Sequence, residues 1–267
     1  MQCTFCATGT MGLTGDLSTG EICEQLVLAL RVVPIRNVVF MGMGEPLNNY
    51  NAVKHAVLMM SHPQIFALRR RRITVSTVGI IPRITAMIDD MPGVSLALSL
   101  HAPNQELRTR IVPSGKAYKL EKLMAAVAAY HRATQQRILI EYVLLGEINT
   151  LECHARELGA LLKEHGLHDC MVNLIPWNPI LSPTIPFEGP TPRMIDAFQN
   201  VLKTEFFLGT TVRQEKGQDV AAACGQLALV AVEEAKAGAG AGGQVTDVED
   251  LIPQLVRKVS LQQVTAV

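Results

Sequence analysis

The stretch Val38–Pro46, VVFMGMGEP, gives the clearest indication of the fold of this chain of 267 residues. Its first four residues are continuously apolar, as in strands that are buried on both faces of a parallel sheet. The glycines that follow mark a turn, and apolar spacing beyond them predicts a helix near residues 51–61. The stretch is therefore one strand–turn–helix unit.

The same unit recurs along the chain. Further strands are predicted at Ile73–Ser76, Val94–Leu100, Ile138–Leu145, Cys170–Pro176 and Thr210–Arg213. Helices are predicted near residues 82–90, 119–134, 150–165 and 191–207, and the first helix begins at the capping box of residues 18–21 and ends at Pro34. Alternating strands and helices favour parallel pairing. The prediction is an α/β fold, a partial (βα)6 TIM-like barrel whose first strand would precede Met1.

Composition narrows the function classes. Lys plus Arg and Asp plus Glu both number 24, so any contact with nucleic acid must come from a local patch. Six cysteines are too few for a disulfide scaffold and fit a reducing compartment. No run of 18 apolar residues exists, which argues against a membrane span. Residues 1–232 are predicted to form the core domain, and residues 233–267 a flexible Gly/Ala linker and a tail.

Polar or glycine residues follow most of the predicted strands. Because the carboxyl ends of parallel strands meet at one edge, these residues are expected to line one pocket. They are Gly44, Glu45, Ser76, Thr77, Ser99, His101 and Asn178, together with Leu100 between Ser99 and His101, and Glu141, which lies on its strand.

Cys3 and Cys6 form a C-x-x-C pair ahead of a glycine-rich loop. Such a pair fits half a zinc site, a thioredoxin-like redox pair or part of an iron–sulfur site. The intervening loop disfavours the redox pair, and no second C-x-x-C exists for zinc. Cys23, Cys153 and Cys170 are isolated and are predicted to pack as small hydrophobes.

Four other features have both a structural and a functional interpretation. Glu45 either belongs to a tight turn or accepts a hydrogen bond from a ligand ammonium, and His101 is either a satisfied core histidine or a ligand contact. Cys224, which precedes Gly225 among small residues, is either a packed cysteine or an accessible thiol. The run Arg69–Arg72 is either a solvated face or a contact with RNA phosphates.

Six stretches together resemble the radical SAM RNA adenosine methyltransferases of the RlmN/Cfr type. They are CTFCATG (Cys3–Gly9), FMGMGEPLNN (Phe40–Asn49), ITVSTVGIIP (Ile73–Pro82), LALSLHAPN (Leu96–Asn104), VNLIPWNP (Val172–Pro179) and AACGQL (Ala222–Leu227). They occur in the order found in the family and span roughly residues 1–230. Their joint occurrence is highly specific.

The resemblance implies cofactors and site residues. Cys3 and Cys6 match the second and third cysteines of a C-x3-C-x2-C motif, whose three thiolates bind a [4Fe–4S] cluster with one iron open to S-adenosyl-L-methionine. Residues that match contacts to S-adenosyl-L-methionine are Gly44, Glu45, Ser76, Ser99, Leu100, His101 and Asn178. Cys224 matches the cysteine that is methylated as an intermediate.

The implied reaction is methylation of adenosine C2 in 23S rRNA, with tRNA as a second candidate substrate. This carbon is electrophilic, so a thiolate, that of Cys224, first takes the methyl group. A 5′-deoxyadenosyl radical then activates the methylated cysteine for addition to the ring. The alternatives are methylation at C8 by relatives that share these motifs, or an inactive RNA-binding remnant. Trp177 favours the C2 type.

The first cluster cysteine of the family motif would lie two residues before Met1. We therefore expect an N-terminally truncated chain that does not assemble a three-thiolate cluster by itself. The loop Leu145–Asn149 looks one residue shorter than its family counterpart. The resemblance also implies a monomer, an electron donor such as flavodoxin or ferredoxin, and a cytoplasmic location, or an organelle if a transit peptide precedes Met1.

Overall fold

A single parallel sheet forms the centre of the computed structural model, which describes residues 3–10, 12–13, 15–177 and 187–213. The strands are β1 (Val38–Phe40), β2 (Ile73–Thr77), β3 (Ser95–Ser99), β4 (Leu139–Leu144), β5 (Met171–Pro176) and β6 (Gly209–Val212). The α-helices of these residues are α1 (Thr19–Val32), α2 (Tyr50–Ser61), α3 (Ile81–Asp90), α4 (Gln105–Ile111), α5 (Leu120–Thr134), α6 (Gly146–Asn149), α7 (Glu152–Glu164) and α8 (Pro192–Thr204). Short 3-10 helices span Ala7–Thr10, Arg70–Arg72 and Pro113–Lys116.

The strand order confirms the predicted architecture. Consecutive strands are neighbours and all pairs are parallel, in the order β1-β2-β3-β4-β5-β6. Within the described residues β1 and β6 are the two edges, so the sheet is an open, partial TIM-like barrel. No described helix has the length and apolar character needed to cross a membrane.

Two short helices, α4 and α6, were not predicted. Helix α4 has seven residues, too few to show a clear apolar period. Its start is set locally, because the Asn104 side chain accepts a hydrogen bond from the Leu107 N–H.

The capping box of α1 is confirmed, since Ser18 Oγ accepts from Glu21 N–H and Ser18 N–H donates to the Glu21 carboxylate at 2.7 Å.

The helices cover one face of the sheet, and their contacts with it form the main core. Alternate strand residues such as Val75, Ile140 and Tyr142 are fully buried there, with the Tyr142 ring 5.2 Å from that of Phe198 on α8. The intervening residues point to the opposite, concave face, because side chains alternate along a strand. That face carries the polar residues described below.

The expectation that β1 is buried on both faces is wrong. Val39 is 52% exposed, whereas Val38 and Phe40 pack against the main core. The reason is that Val39 lies on the concave face at the edge of the sheet, where no described helix covers it. Periodicity alone does not distinguish a central strand from an edge strand.

The packing role predicted for the isolated cysteines is confirmed for Cys23 and Cys170, which are buried, and is wrong for Cys153, which is exposed. Cys153 lies on α7 opposite the buried stripe that contains Ala155 and Leu158. Asn178, Cys224 and the predicted domain boundary at residue 232 lie outside the described residues.

Candidate functional site

The Cys3–Cys6 turn is held at the carboxyl edge of the sheet. Thr4 donates from both its N–H and its hydroxyl to the Ile111 carbonyl at the end of α4, each at 3.2 Å. Trp177, directly after β5, donates its indole N–H to the Phe5 carbonyl at 3.0 Å. A hydrogen bond from Cys6 N–H to the Cys3 carbonyl closes the turn, which keeps the two thiols together.

A second, smaller apolar cluster lies beneath this turn. The side chains of Cys3 and Phe5 pack against it, and the Phe5 ring meets that of His101 edge-on, with centroids 5.1 Å apart. Its buried members are Ala102, Ile111, Val112, Val143, Leu145 and Trp177. The pKa of the Cys3 thiol is raised to about 11, mainly by burial and to a lesser extent by the neighbouring Cys6. Cys3 is therefore a neutral thiol near pH 7, and binding of a cation by this pair would have to displace its proton.

Replacing Trp177 with phenylalanine tests this anchoring. The substitution removes the hydrogen bond to the Phe5 carbonyl and retains an aromatic ring. A net loss of about 1 kcal/mol corresponds to a roughly fivefold increase in opening of the turn. Iodoacetamide should therefore alkylate Cys3 and Cys6 roughly five times faster in this variant, while the exposed Cys153 serves as an internal control. Unchanged rates at Cys3 and Cys6 would show that the indole hydrogen bond does not hold the turn.

Glu45 is confirmed as part of the turn that follows β1. Its buried carboxylate accepts from Leu47 N–H at 2.9 Å and from Val78 N–H at 2.8 Å, which ties this turn to the end of β2. Burial raises the pKa of Glu45, and these two hydrogen bonds oppose the rise. Each carboxylate oxygen retains a second lone pair, so a contact with a ligand ammonium stays a prediction. Gly44 has φ of +78°, a conformation that favours glycine.

A row of polar side chains crosses the concave face. The hydroxyl groups of Ser76 and Ser99 lie 3.3 Å apart. Ser99, Glu141 and Asn173 are register partners on adjacent strands, and Asn173 donates to the Glu141 carboxylate at 2.8 Å. Thr211 extends the row by donating to Asn173 at 3.1 Å. Asn173 and Thr211 were missed from the sequence, although Asn173 lies between apolar residues of a strand, a signal that marks the opposite face.

His101 is buried and is held through one ring nitrogen. Its Nδ1 accepts from Val143 N–H at 3.1 Å, so the ring proton of neutral His101 is on Nε2. Burial lowers the pKa of His101 to about 3. The adjacent Leu100 has a fully buried side chain and donates its N–H to the Glu141 carbonyl, so any cofactor contact at Leu100 would use its backbone carbonyl.

Arg108 is a site residue that the sequence did not reveal. It is fully buried on α4 and donates from Nη2 to the Val78 carbonyl, while its Nε and Nη1 have no hydrogen-bond partner among the described residues. Burial lowers the pKa of Arg108 to about 10. The negative Glu45 thus accepts from the Val78 N–H, and the positive Arg108 donates to the Val78 carbonyl. The two opposite charges meet the same residue, beside the cysteine turn. In the segment LRTRI nothing local distinguishes Arg108 from Arg110, so the burial of Arg108 could not be predicted from the sequence.

The residues present fit an iron–sulfur cluster in part. Cys3 and Cys6 can supply two thiolates. Within the described ranges no group of three or more His, Cys, Asp or Glu side chains is placed to hold a metal ion. The third thiolate of a radical SAM cluster is therefore not supplied by these residues.

Comparison with known proteins identifies the family. Residues 1–154, more than half of the chain, match the radical SAM superfamily. The chain belongs to the radical SAM superfamily. This membership confirms the predicted cofactors of the family, a [4Fe–4S] cluster and S-adenosylmethionine.

Two proteins with 42% and 41% identity to this chain are described as methyltransferases. "Probable dual-specificity RNA methyltransferase RlmN 2" of Protochlamydia amoebophila (strain UWE25) is 42% identical over an alignment of 233 residues, which covers 85% of this chain and 63% of that protein. The crystal structure of a radical SAM methyltransferase from Sphaerobacter thermophilus is 41% identical with a TM-score of 0.79, over 84% of this chain and 66% of that one. The chain therefore spans less than two thirds of each relative.

Two distant structures agree in fold alone. A domain of pyruvate-formate lyase-activating enzyme from Bacteroides vulgatus is 15% identical with a TM-score of 0.52, over 67% of this radical SAM chain and 99% of that domain. SuiB from Streptococcus suis, solved with bound S-adenosylmethionine, is 11% identical with a TM-score of 0.52, over 78% of this chain and 44% of SuiB.

Proposed function

We propose that this radical SAM chain acts in the methylation of RNA, at C2 of adenosine in 23S rRNA, with tRNA as a second candidate substrate. The observation that carries the proposal is the placement of the Cys3–Cys6 turn beside the buried Glu45 and His101, at the edge where parallel α/β sheets bind ligands. The identity of 42% to a protein described as an RNA methyltransferase supports RNA as the substrate.

The chain's own residues would divide the work of binding. Cys3 and Cys6 would hold part of the cluster, which when bound supplies the electron for radical chemistry. Gly44, Glu45 and the Ser76–Ser99 pair would orient S-adenosylmethionine, as would the backbone of Leu100 and His101 and the side chain of Asn178. The apolar cluster that contains Trp177 and packs against Phe5 would keep water away from these groups.

Cys224 would act as the nucleophile. Its thiolate would attack the methyl carbon of the sulfonium, the carbon–sulfur bond to that sulfonium would break, and S-adenosylhomocysteine would leave. Adenine C2 is electrophilic and cannot take the methyl group directly from a sulfonium, which is why a cysteine carrier is proposed. The target base would have to leave its stack to reach the cysteine.

A bacterial strain whose 23S rRNA and tRNA lack methylated adenosine provides the test. The complete gene is expressed there, and nucleosides from both RNAs are analysed by mass spectrometry. We expect 2-methyladenosine with the natural protein and none with Cys224→Ala, a loss of at least about 100-fold because the nucleophile is removed. Cys153→Ala, which removes an exposed cysteine of α7, is the matched control and should retain the product.

The outcomes separate the candidate functions. Formation of 8-methyladenosine would show that the methylated position is C8 instead of C2. Absence of any methylated adenosine would favour the hypothesis of an inactive RNA-binding remnant. Product formation by Cys224→Ala would refute the cysteine carrier. A monomeric state, a flavodoxin or ferredoxin as electron donor and a cytoplasmic location complete the proposal.

A further inference from the structure

Positive charge is concentrated in one quarter of this neutral chain. Residues 25–88 contain eight Lys and Arg residues and a single acidic residue, Glu45, which gives a formal charge of +7. Glu45 is buried at the site described above, so it does not screen the surface. The basic residues are Arg31, Arg36, Lys54, Arg69, Arg70, Arg71, Arg72 and Arg83. Such asymmetry within one chain is typical of a surface that meets a polyanion.

Some of these cations already have partners. Lys54 forms an ion pair with Asp90 at 2.6 Å, and the Arg83 guanidinium lies 4.7 Å from the centre of the Tyr50 ring. Arg70 donates to the Pro92 carbonyl at 3.2 Å. These three contacts give Lys54, Arg83 and Arg70 a structural role. They do not account for the other arginines.

Arg36, Arg69 and Arg72 line one groove. All three are exposed, and among the residues that the structure describes none of them forms an ion pair with an acid. Arg72 donates to the Asn37 side chain at 3.3 Å, which orients its guanidinium across the groove. The groove has a volume of about 710 Å³, and its other lining residues are Ile35, Asn37, Phe66, Ala67 and Leu68.

The groove lies at the end of the sheet opposite to the cysteine turn. It is formed by the segments that lead into β1 and β2, whereas Ser76 and Glu45 lie at or beyond the carboxyl ends of these strands. The length of β2 alone separates the two regions by roughly 13 Å. A small anion bound at the candidate site would not reach the groove. A folded nucleic acid is large enough to contact both the candidate site and the groove.

We propose that this groove binds the phosphate backbone of RNA, at a distance from the base that reacts. The inference rests on the proposed function, because it takes RNA to be the substrate. Arginine forks match the oxygens of a phosphate in two parallel hydrogen bonds, and such contacts position an RNA without reading its sequence. The groove thus contributes affinity and orientation, and the opposite edge performs the chemistry.

The test compares RNA affinity in two charge-matched triple variants of the chain. Binding of a fluorescein-labelled RNA hairpin is followed by anisotropy over a series of KCl concentrations. For R36Q/R69Q/R72Q we expect at least a tenfold higher Kd near physiological salt, and a slope of log K against log salt that is smaller by about 2 to 3, since each lost phosphate contact removes about 0.7 to 0.9. The control is K122Q/R132Q/K203Q, exposed positions on α5 and α8, where Kd should change by less than about twofold.

Ultraviolet crosslinking of the natural chain gives a second readout. It needs no variant, so it does not depend on whether the triple variants fold. Crosslinked nucleotides should map to the peptide that contains Phe66 to Arg72. Equal losses in the two triple variants, or crosslinks confined to the cysteine edge, would overturn the groove while leaving RNA methylation intact. Absence of RNA binding by the natural chain would also overturn it, and the nucleoside analysis would then decide separately whether methylation of RNA stands.

Discussion

Replacing Asn149 with alanine is expected to lower the free energy of unfolding by about 4 kcal/mol, since each buried polar group left without a partner costs about 1–3 kcal/mol. Asn149 is fully buried at the end of α6. Its amide donates to the carbonyls of His101 at 2.9 Å and Val143 at 2.7 Å, and its oxygen accepts from Leu145 N–H at 2.7 Å. Alanine would leave all three backbone groups unsatisfied. Urea unfolding followed by circular dichroism measures the loss.

Two further variants sharpen the Asn149 experiment. Asn200→Ala, at an exposed position of α8, should change stability by less than about 0.5 kcal/mol. Asn149→Asp retains the oxygen that faces Leu145 and replaces the amide donor by an oxygen that faces two carbonyls, so it should be destabilised as well. A loss below about 1 kcal/mol in Asn149→Ala would mean that water satisfies the freed groups.

Acidification from pH 6.5 towards pH 3 is expected to destabilise the protein through His101. The pKa of folded His101 is about 3, against an ordinary value of 6.5, because burial disfavours the imidazolium. Between these two values the unfolded chain binds a proton that the folded chain does not. The stability that neutral His101 allows is therefore present above pH 6.5 and is lost, by about 1.4 kcal/mol for each pH unit, as pH falls through this window.

His101→Asn isolates this contribution. Asparagine accepts a hydrogen bond from Val143 N–H in place of Nδ1, and it tolerates the φ of +61° at this position. The variant should lose the part of the pH dependence that belongs to His101, so its slope of stability against pH should be smaller by about 1.4 kcal/mol per unit. His168→Asn, at an exposed position, is the control and should retain the full slope. Identical slopes in natural protein and His101→Asn would contradict a buried neutral imidazole.

These two residues also show how the ends of β3 and β4 are joined. Asn149 donates to the backbone of His101, and the His101 ring accepts from the backbone of β4. The Phe5 ring rests on that imidazole, so the cysteine turn depends on the same connection. A loss of either residue is thus expected to loosen the candidate site as well as the fold.

Much of the fold could be predicted because the signals are local. The apolar run before Gly42, the capping box at Ser18 and the repeated alternation of strands and helices each depend on neighbours in sequence. The strands and helices predicted between residues 18 and 213 are present, with small shifts at their ends. The grouping of Glu45, Ser76 and His101 at one edge followed from a general rule about parallel sheets. The motif resemblance led to the superfamily that the comparison confirms.

Other parts of the site could not be predicted because they depend on register and burial between distant segments. Asn173 becomes a partner of Glu141 only when β4 and β5 pair in one particular register. Arg108 and Val78 are 30 residues apart, and nothing local distinguishes this buried arginine from the exposed Arg110. Asn149 likewise meets His101 across 48 residues.

The order of strands and helices and the superfamily could be predicted from the sequence alone, because periodicity, capping and short motifs act between residues close together in the chain. The assembled structure was needed to show which polar side chains are buried and paired, that Val39 lies exposed at an edge, and that Arg36 and Arg72 face one groove. The physical reason is that burial and hydrogen bonding depend on distances in space, which arise when the sheet assembles.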